Sequence, residues 1–284
     1  MIYQTFPMEL AGSNPGSKLT VYIQEKSPEI MIEKRPMVVI CPGGGYAFTS
    51  DREAEVFALE FLSMGYQAAV LRYSVDTAKF PTALTELAYS VKLVRDHAEE
   101  WFVDPDAILV TGSSAGGHLA ASLGTLWQEK FLADAMGMSV EENTAYKPDG
   151  MILCYPVISS GEYAHRDSFL FLLGQEEGTL AKRNDPESLV AKLSLENRVT
   201  ENTPPVFIWH TFTDGTVPVE NSLLFVSALR KAGVSTEFHL FPEGGHGLCL
   251  GNRLTRHVCG DGIQPECAVW TELVHTWIEK NYVK

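Results

Sequence analysis

Five residues, Gly112-Ser113-Ser114-Ala115-Gly116, join the apolar run 107–111 (AILVT) to the alanine-rich stretch GHLAASLGTLW. That joint narrows the fold sharply. A buried strand that passes directly into a helix must turn within a few residues. Glycines two positions either side of a central serine remove the Cβ atoms that would collide in so tight a turn. The serine at the apex is held clear of the sheet. The helix that follows aims its N-terminus, with its partial positive charge, at the same spot. Ser114 occupies the apex and Ser113 flanks it. A phosphate-binding loop is the nearest rival pattern, but the Gly-Lys-Ser/Thr ending is missing.

The surrounding chain alternates strand and helix. Residues 36–41 (PMVVIC), 66–73, 107–111, 150–154, 206–210 and 236–241 read as strands. Residues 51–64, the stretch after the serine turn, 219–232 and about 266–281 read as helices, the last with Trp270, Leu273, Trp277 and Ile278 on its inner side. Leu84, Leu87, Val91, Val94 and Ala98 form one apolar stripe at helical spacing. Such alternation predicts an α/β fold with a mostly parallel central sheet and helices on both faces. The apolar/polar alternation of LTVYIQ at 19–24 adds an antiparallel strand. The charged stretch 161–200 interrupts the rhythm and reads as a small cap inserted in one domain spanning 1–284, lying over the carboxyl ends of the strands where open α/β sheets bind ligands. Phe169 and Phe171 are its candidates for the pocket, with the core as the alternative for both.

A serine nucleophile needs an oxyanion hole, a base and an acid. Pro42-Gly43-Gly44-Gly45-Tyr46 follows a buried strand, and glycines there let backbone N–H groups turn inward to hold negative charge. Tyr46 reads as lining the pocket or as a packed aromatic at a helix entry, and His118, one helical turn beyond Ser114, is placed with it as a substrate contact. Among the eight histidines, His246 alone sits in a glycine loop (Gly244-Gly245-His246-Gly247) after the last strand, where a side chain can return over the sheet edge. Asp214 directly follows the strand VFIWH, on the edge that carries Ser114, and falls between nucleophile and base in chain order. Asp185, Glu196, Glu201 and Glu243 are weaker competitors for the acid.

With these residues placed, the chain resembles the esterase/lipase branch of the α/β-hydrolase fold, and within it acetyl-esterase and xylan-esterase-like members. The stretches CPGGGY, TGSSAGGHLA, PDGMILCYPVIS, HTFTDGTVPVENSLLF and FPEGGHGL carry the likeness, over roughly residues 36 to 284. The resemblance implies Ser114, Asp214 and His246 as a catalytic triad, with the N–H groups of Gly44, Gly45 and Ala115 as oxyanion donors. It also implies a small-molecule ester as substrate and no cofactor. Pro42 departs from the pattern, standing where the lipase-like branch has histidine. A triad of this kind also serves amidases and peptidases, and the fold hosts non-catalytic binding proteins, so both remain alternatives.

Composition limits the partners. The formal net charge of −14 repels phosphate backbones, which argues against nucleic acid. No segment approaches the ~18 apolar residues of a spanning helix, and the first residues lack the basic start and apolar run of a secretory signal, so no membrane partner is expected. Five scattered cysteines read as reduced thiols in a cytoplasmic protein. His257, Cys259 and Cys267 lie close in sequence without C-x-x-C or H-x-x-x-H spacing, and read as a loop rather than a metal site. Homo-oligomerisation is left open by the sequence.

Overall fold

The computed structural model describes residues 1–174, 182, 184–185 and 187–283. Its centre is an eight-stranded sheet: β1 (Ile2–Pro7), β2 (Lys18–Ile23), β3 (Arg35–Cys41), β4 (Gln67–Arg72), β5 (Val103–Ser113), β6 (Gly150–Cys154), β7 (Val206–Thr211) and β8 (Thr236–Phe241). The strand order is β1-β2-β4-β3-β5-β6-β7-β8. From β4 to β8 every pairing is parallel, whereas β2 runs antiparallel to both β1 and β4. The expected α/β class, with a mixed edge, is therefore the fold observed. β1 was not anticipated. In IYQTFP only Ile2 and Phe6 are half-buried, so the strand carries little of the period-2 pattern that betrays a sheet face. It forms because its backbone completes the edge of β2, in a register that pairs Tyr3 with Tyr22.

Alternate residues of the buried strands feed two cores. On one face Val39, Val110, Leu153 and Ile208 pack against α2 (Thr82–Asp96), α3 (Ala115–Leu126) and α7 (Glu220–Ala232), whose inward residues include Leu87, Val91, Leu119, Leu123 and Phe225. On the other face Ile40, Leu109, Ile152 and Trp209 meet α1 (Glu55–Ser63) and α9 (Trp270–Tyr282) through Phe57, Phe61, Trp270 and Trp277. Both faces are covered, which is why the central strands read as continuous apolar runs. The helix expected over 51–64 is broken: Asp51–Glu53 forms a separate 3₁₀ turn before α1.

The short helices α4 (Lys130–Ala135) and α8 (Pro265–Ala268) precede β6 and α9, and between β6 and β7 the described part of the insert carries α5 (Arg166–Leu173) and α6 (Leu189–Lys192). It is moored to the domain by polar contacts. The Asn221 carboxamide oxygen accepts the N–H groups of Ile158 and Ser159, both at 2.9 Å, and Glu196 accepts the hydroxyls of Ser159 and Ser194 at 2.7 and 2.9 Å. Most of the run 175–186, which supplies much of the charge noted in the sequence, lies outside the described residues. No helix among the described residues is long and apolar enough to cross a membrane.

Candidate active site

Ser114 stands at the junction of β5 and α3 with φ 55° and ψ −120°, a conformation that a non-glycine residue holds at a cost of about 1–3 kcal/mol. The surrounding hydrogen bonds impose it. Ser114 N–H donates to the Cys154 carbonyl at 3.0 Å, and its own carbonyl accepts the N–H of Val157 at 3.0 Å. Gly116 shows how tight the turn is, because a Cβ there would lie 2.0 Å from the carbonyl oxygen of Cys41.

Across the strand ends, His246 Nε2 lies 2.8 Å from Ser114 Oγ, and His246 Nδ1 lies 2.7 Å from Asp214 Oδ2. A carboxylate can only accept, so Nδ1 carries the proton and Nε2 offers its lone pair to the serine hydroxyl. The histidine loop is pinned to the exit of β7: Thr211 and Thr213 hydroxyls donate to the Gly244 carbonyl at 2.9 and 3.1 Å. Asp214 is buried to its carboxylate. Oδ1 accepts the N–H groups of Thr216 and Val217 at 2.9 and 3.0 Å. Oδ2 accepts from His246 and also from His210 Nε2 at 3.2 Å. Burial alone would raise its pKa, but the bonds from His210 and His246, the charge of His246 and the Thr216 N–H together hold it well below the usual carboxylate range.

His210 went unnoticed as a site residue in the sequence, where it closes a strand. It is fully buried. Its Nε2–H also reaches the Val217 carbonyl at 3.1 Å, which leaves Nδ1 to accept the Ser222 hydroxyl at 2.8 Å. The one available signal was its spacing of four from Asp214 at a strand exit. The competing acids sit elsewhere. Glu196 binds serines of the insert, and Asp185, Glu201 and Glu243 are exposed.

The glycine loop forms the opposite wall. Gly44 has φ 129°, and a Cβ there would lie 2.1 Å from the Phe48 carbonyl oxygen, so no other residue fits. Among the described residues, the N–H groups of Gly44, Gly45 and Ala115 donate to no protein acceptor. A cleft of about 330 Å³ opens onto Gly44 and Gly45, lined also by Phe48, Ser114, His165, Asp167, Phe171, Thr216 and His246 among others. The insert thus supplies one wall. Burial, with the nearby His246, lowers the pKa of His165.

Two expected substrate contacts do not reach the cleft. Tyr46 and His118 are both buried and hydrogen-bonded to one another, Tyr46 Oη to His118 Nδ1 at 2.9 Å. His118 Nε2 donates to the Leu193 carbonyl at 3.0 Å, which makes Nδ1 the acceptor. Burial depresses the pKa of His118 to about 4. Phe169 packs edge-on against His118 inside the core, while Phe171 faces the cleft. In the segment that follows the His246 loop, Cys259 is exposed, its N–H donating to His257 Nδ1, whereas Cys267 is buried with its thiol toward the Glu243 carbonyl.

Sheet order, serine turn and the chain-order placement of acid and histidine after successive strands define the α/β-hydrolase class. Comparison with known proteins narrows it. The BD-FAE family model matches residues 21–229, and the chain belongs to that family. It is similar to endo-1,4-beta-xylanase B of Butyrivibrio fibrisolvens, 37% identical over 77% of this chain and 33% of that protein. It is also similar to an acetylxylan esterase of Xylanibacter ruminicola, 31% identical over 78% of this chain and 42% of the relative. The chain spans less than half the length of these curated relatives. Among solved structures it resembles an acetyl ester-xyloside bifunctional hydrolase from Caldicellulosiruptor lactoaceticus, with 38% identity, a TM-score of 0.78, and coverage of 95% of this chain and 90% of the other. A carboxylesterase from Lactobacillus plantarum superposes with a TM-score of 0.81 at 26% identity, covering 100% of this chain and 98% of its own.

Proposed function

We propose that the protein is a serine esterase that removes short acyl groups, acetyl foremost, from a carbohydrate. The observation that carries the reading is the unbroken line Ser114 Oγ–His246–Asp214, whose serine and histidine share a cleft with Gly44 and Gly45, residues whose N–H groups donate to no described acceptor. His246 Nε2 takes the hydroxyl proton as Ser114 Oγ attacks the ester carbonyl. The carbonyl oxygen becomes an oxyanion held by Gly44, Gly45 and Ala115, with the N-terminus of α3 behind it. The imidazolium, stabilised by the buried Asp214 carboxylate, returns the proton to the departing alcohol. Water, giving its proton to His246, then attacks the acyl-enzyme; the bond to Ser114 Oγ breaks, the carboxylic acid leaves, and His246 returns the proton to the serine.

The acetyl and carbohydrate assignments draw support from the likeness to an acetylxylan esterase and to an acetyl ester-xyloside bifunctional hydrolase. The cleft agrees with them in chemistry. Phe48, 59% exposed at its edge, and Phe171 offer flat apolar faces, while His165 and Asp167 bring polar groups beside them. Such a mixture suits a sugar ring better than a long alkyl chain.

The test is a panel of p-nitrophenyl acetate, p-nitrophenyl octanoate, acetylated xylo-oligosaccharides and peptide amides. We expect hydrolysis of both acetates, acetate favoured over octanoate in kcat/KM, and loss of turnover by on the order of 10⁶ in Ser114→Ala with the fold intact. Retained activity in that variant refutes the nucleophile. An octanoate value equal to that of acetate refutes the short-acyl preference alone.

A further inference from the structure

The 3₁₀ turn at the back of the cleft carries three charged residues that the reaction above leaves without a role; Asp51 pairs with Arg72, whereas Arg52 and Glu53 turn toward the site. Glu53 is only 4% exposed. Its two carboxylate oxygens face different walls of the site. Oε2 accepts the N–H of Gly43 at 2.7 Å, at the root of the glycine loop. Oε1 accepts the hydroxyl of Tyr155 at 2.7 Å, with the Cys249 thiol 3.7 Å away. That hydroxyl in turn accepts the Cys249 N–H at 3.1 Å, just beyond the histidine loop, and the Tyr155 ring meets the His246 ring edge-on with centroids 5.2 Å apart. The neighbouring Arg52 grips the same loop from outside, donating to the carbonyls of Gly247 and Thr255 at 2.9 and 2.7 Å.

A buried carboxylate is expensive unless donors surround it. Here the donors come from the two segments whose separation the reaction cannot let vary: the loop that holds the oxyanion and the loop that holds the base. With the Gly43 N–H committed to Glu53, the next two N–H groups along the chain remain available to the cleft. We propose that Glu53 is a positioning residue that fixes the glycine loop, through Gly43, relative to the His246 loop, through Tyr155 and Cys249. The proposal rests on the reading of Ser114 as nucleophile and His246 as base.

The full chain carrying Glu53→Ala, Glu53→Gln or Tyr155→Phe is assayed with p-nitrophenyl acetate. Tm is recorded, and labelling of Ser114 by a fluorophosphonate is followed to completion by intact mass. Because misplacement of reacting groups by about 1 Å can cost 10²-fold, Glu53→Ala is expected to lower kcat by on the order of 10²-fold, with KM changed less than about threefold. Glutamine keeps an acceptor for the Gly43 N–H but turns an NH₂ toward Tyr155. It should recover about tenfold of that loss, and Tyr155→Phe should lose about tenfold in kcat with Tm close to the parent. Native kcat in Glu53→Gln and Tyr155→Phe overturns the proposal, even if Glu53→Ala is merely unstable. So does a fall in kcat that follows Tm across all three. If instead the parent enzyme fails to label and Ser114→Ala stays active, the reading beneath it is what fails.

Discussion

Asparagine at position 214 is the sharpest single perturbation of the site, because every group around that carboxylate is a donor. Thr216 and Val217 N–H point at Oδ1, and His246 and His210 point at Oδ2. An asparagine has one acceptor and one NH₂. If its oxygen keeps the two backbone donors, which cannot invert, the NH₂ faces both imidazoles. His246 then escapes the clash only by moving its proton to Nε2, so that Nδ1 accepts. That tautomer presents an N–H to Ser114 and has no lone pair to take the hydroxyl proton. Loss of the correct tautomer in triads of this type costs on the order of 10⁴ in turnover, or about 5 kcal/mol at 1.36 kcal/mol per decade. His210, crowded at the same oxygen, adds a separate stability loss of about 1–3 kcal/mol for a buried donor left unpaired. The assay is steady-state hydrolysis of p-nitrophenyl acetate by Asp214→Asn, with Tm measured alongside. Turnover within tenfold of the parent would show that Asp214 does not set the imidazole's tautomer.

Phe48→Ala is expected to raise KM for acetylated xylo-oligosaccharides several-fold, by removing one apolar face of the cleft. KM for p-nitrophenyl acetate should barely move; parallel changes for both substrates would deny Phe48 a part in holding the alcohol. The second expectation concerns acid stability. His118 folds as a neutral imidazole with a pKa of about 4, against 6.5 when unfolded, so the unfolded chain binds the extra proton. Its contribution is fully present above pH 6.5 and is lost as pH falls toward 4, amounting to about 3 kcal/mol. Urea titrations of the parent and His118→Gln at pH 7 and pH 4 measure it. An equal loss in both proteins on acidification would remove His118 as the cause.

How much of this was legible in the sequence differs by residue, for physical reasons. The turn around Ser114 could be read because its geometry admits so few residue types; Gly116 has no alternative when a Cβ would meet the Cys41 carbonyl oxygen at 2.0 Å. Asp214 and His246 could be placed because each follows a strand whose apolar run is unmistakable, and the structure brings their side chains into one hydrogen-bonded line with Ser114. Glu53 was hidden. Taken as one helix, 51–64 puts an acid in an ordinary first turn, and nothing local announces that a 3₁₀ turn sends it inward to meet donors from Gly43 and Tyr155. His210 was hidden for the same reason, since its partners Ser222 and Val217 meet it only after α7 packs. Tyr46 and His118 were misplaced because adjacency to the site in sequence says nothing about side-chain direction. Both turn inward, where each satisfies the other.

The link from Tyr46 through His118 to Leu193 has an evolutionary consequence. It ties the residue next to the glycine loop to the far end of the insert, yet its last partner is a main-chain oxygen. Any amino acid at that position offers the same oxygen. Selection for a new alcohol can therefore rewrite the insert's side chains, including those that face the cleft, without loosening its grip on the glycine loop. What such variation must conserve is the path of the backbone at 193. A shortened or lengthened insert should be felt at the glycine loop sooner than a chemically altered one.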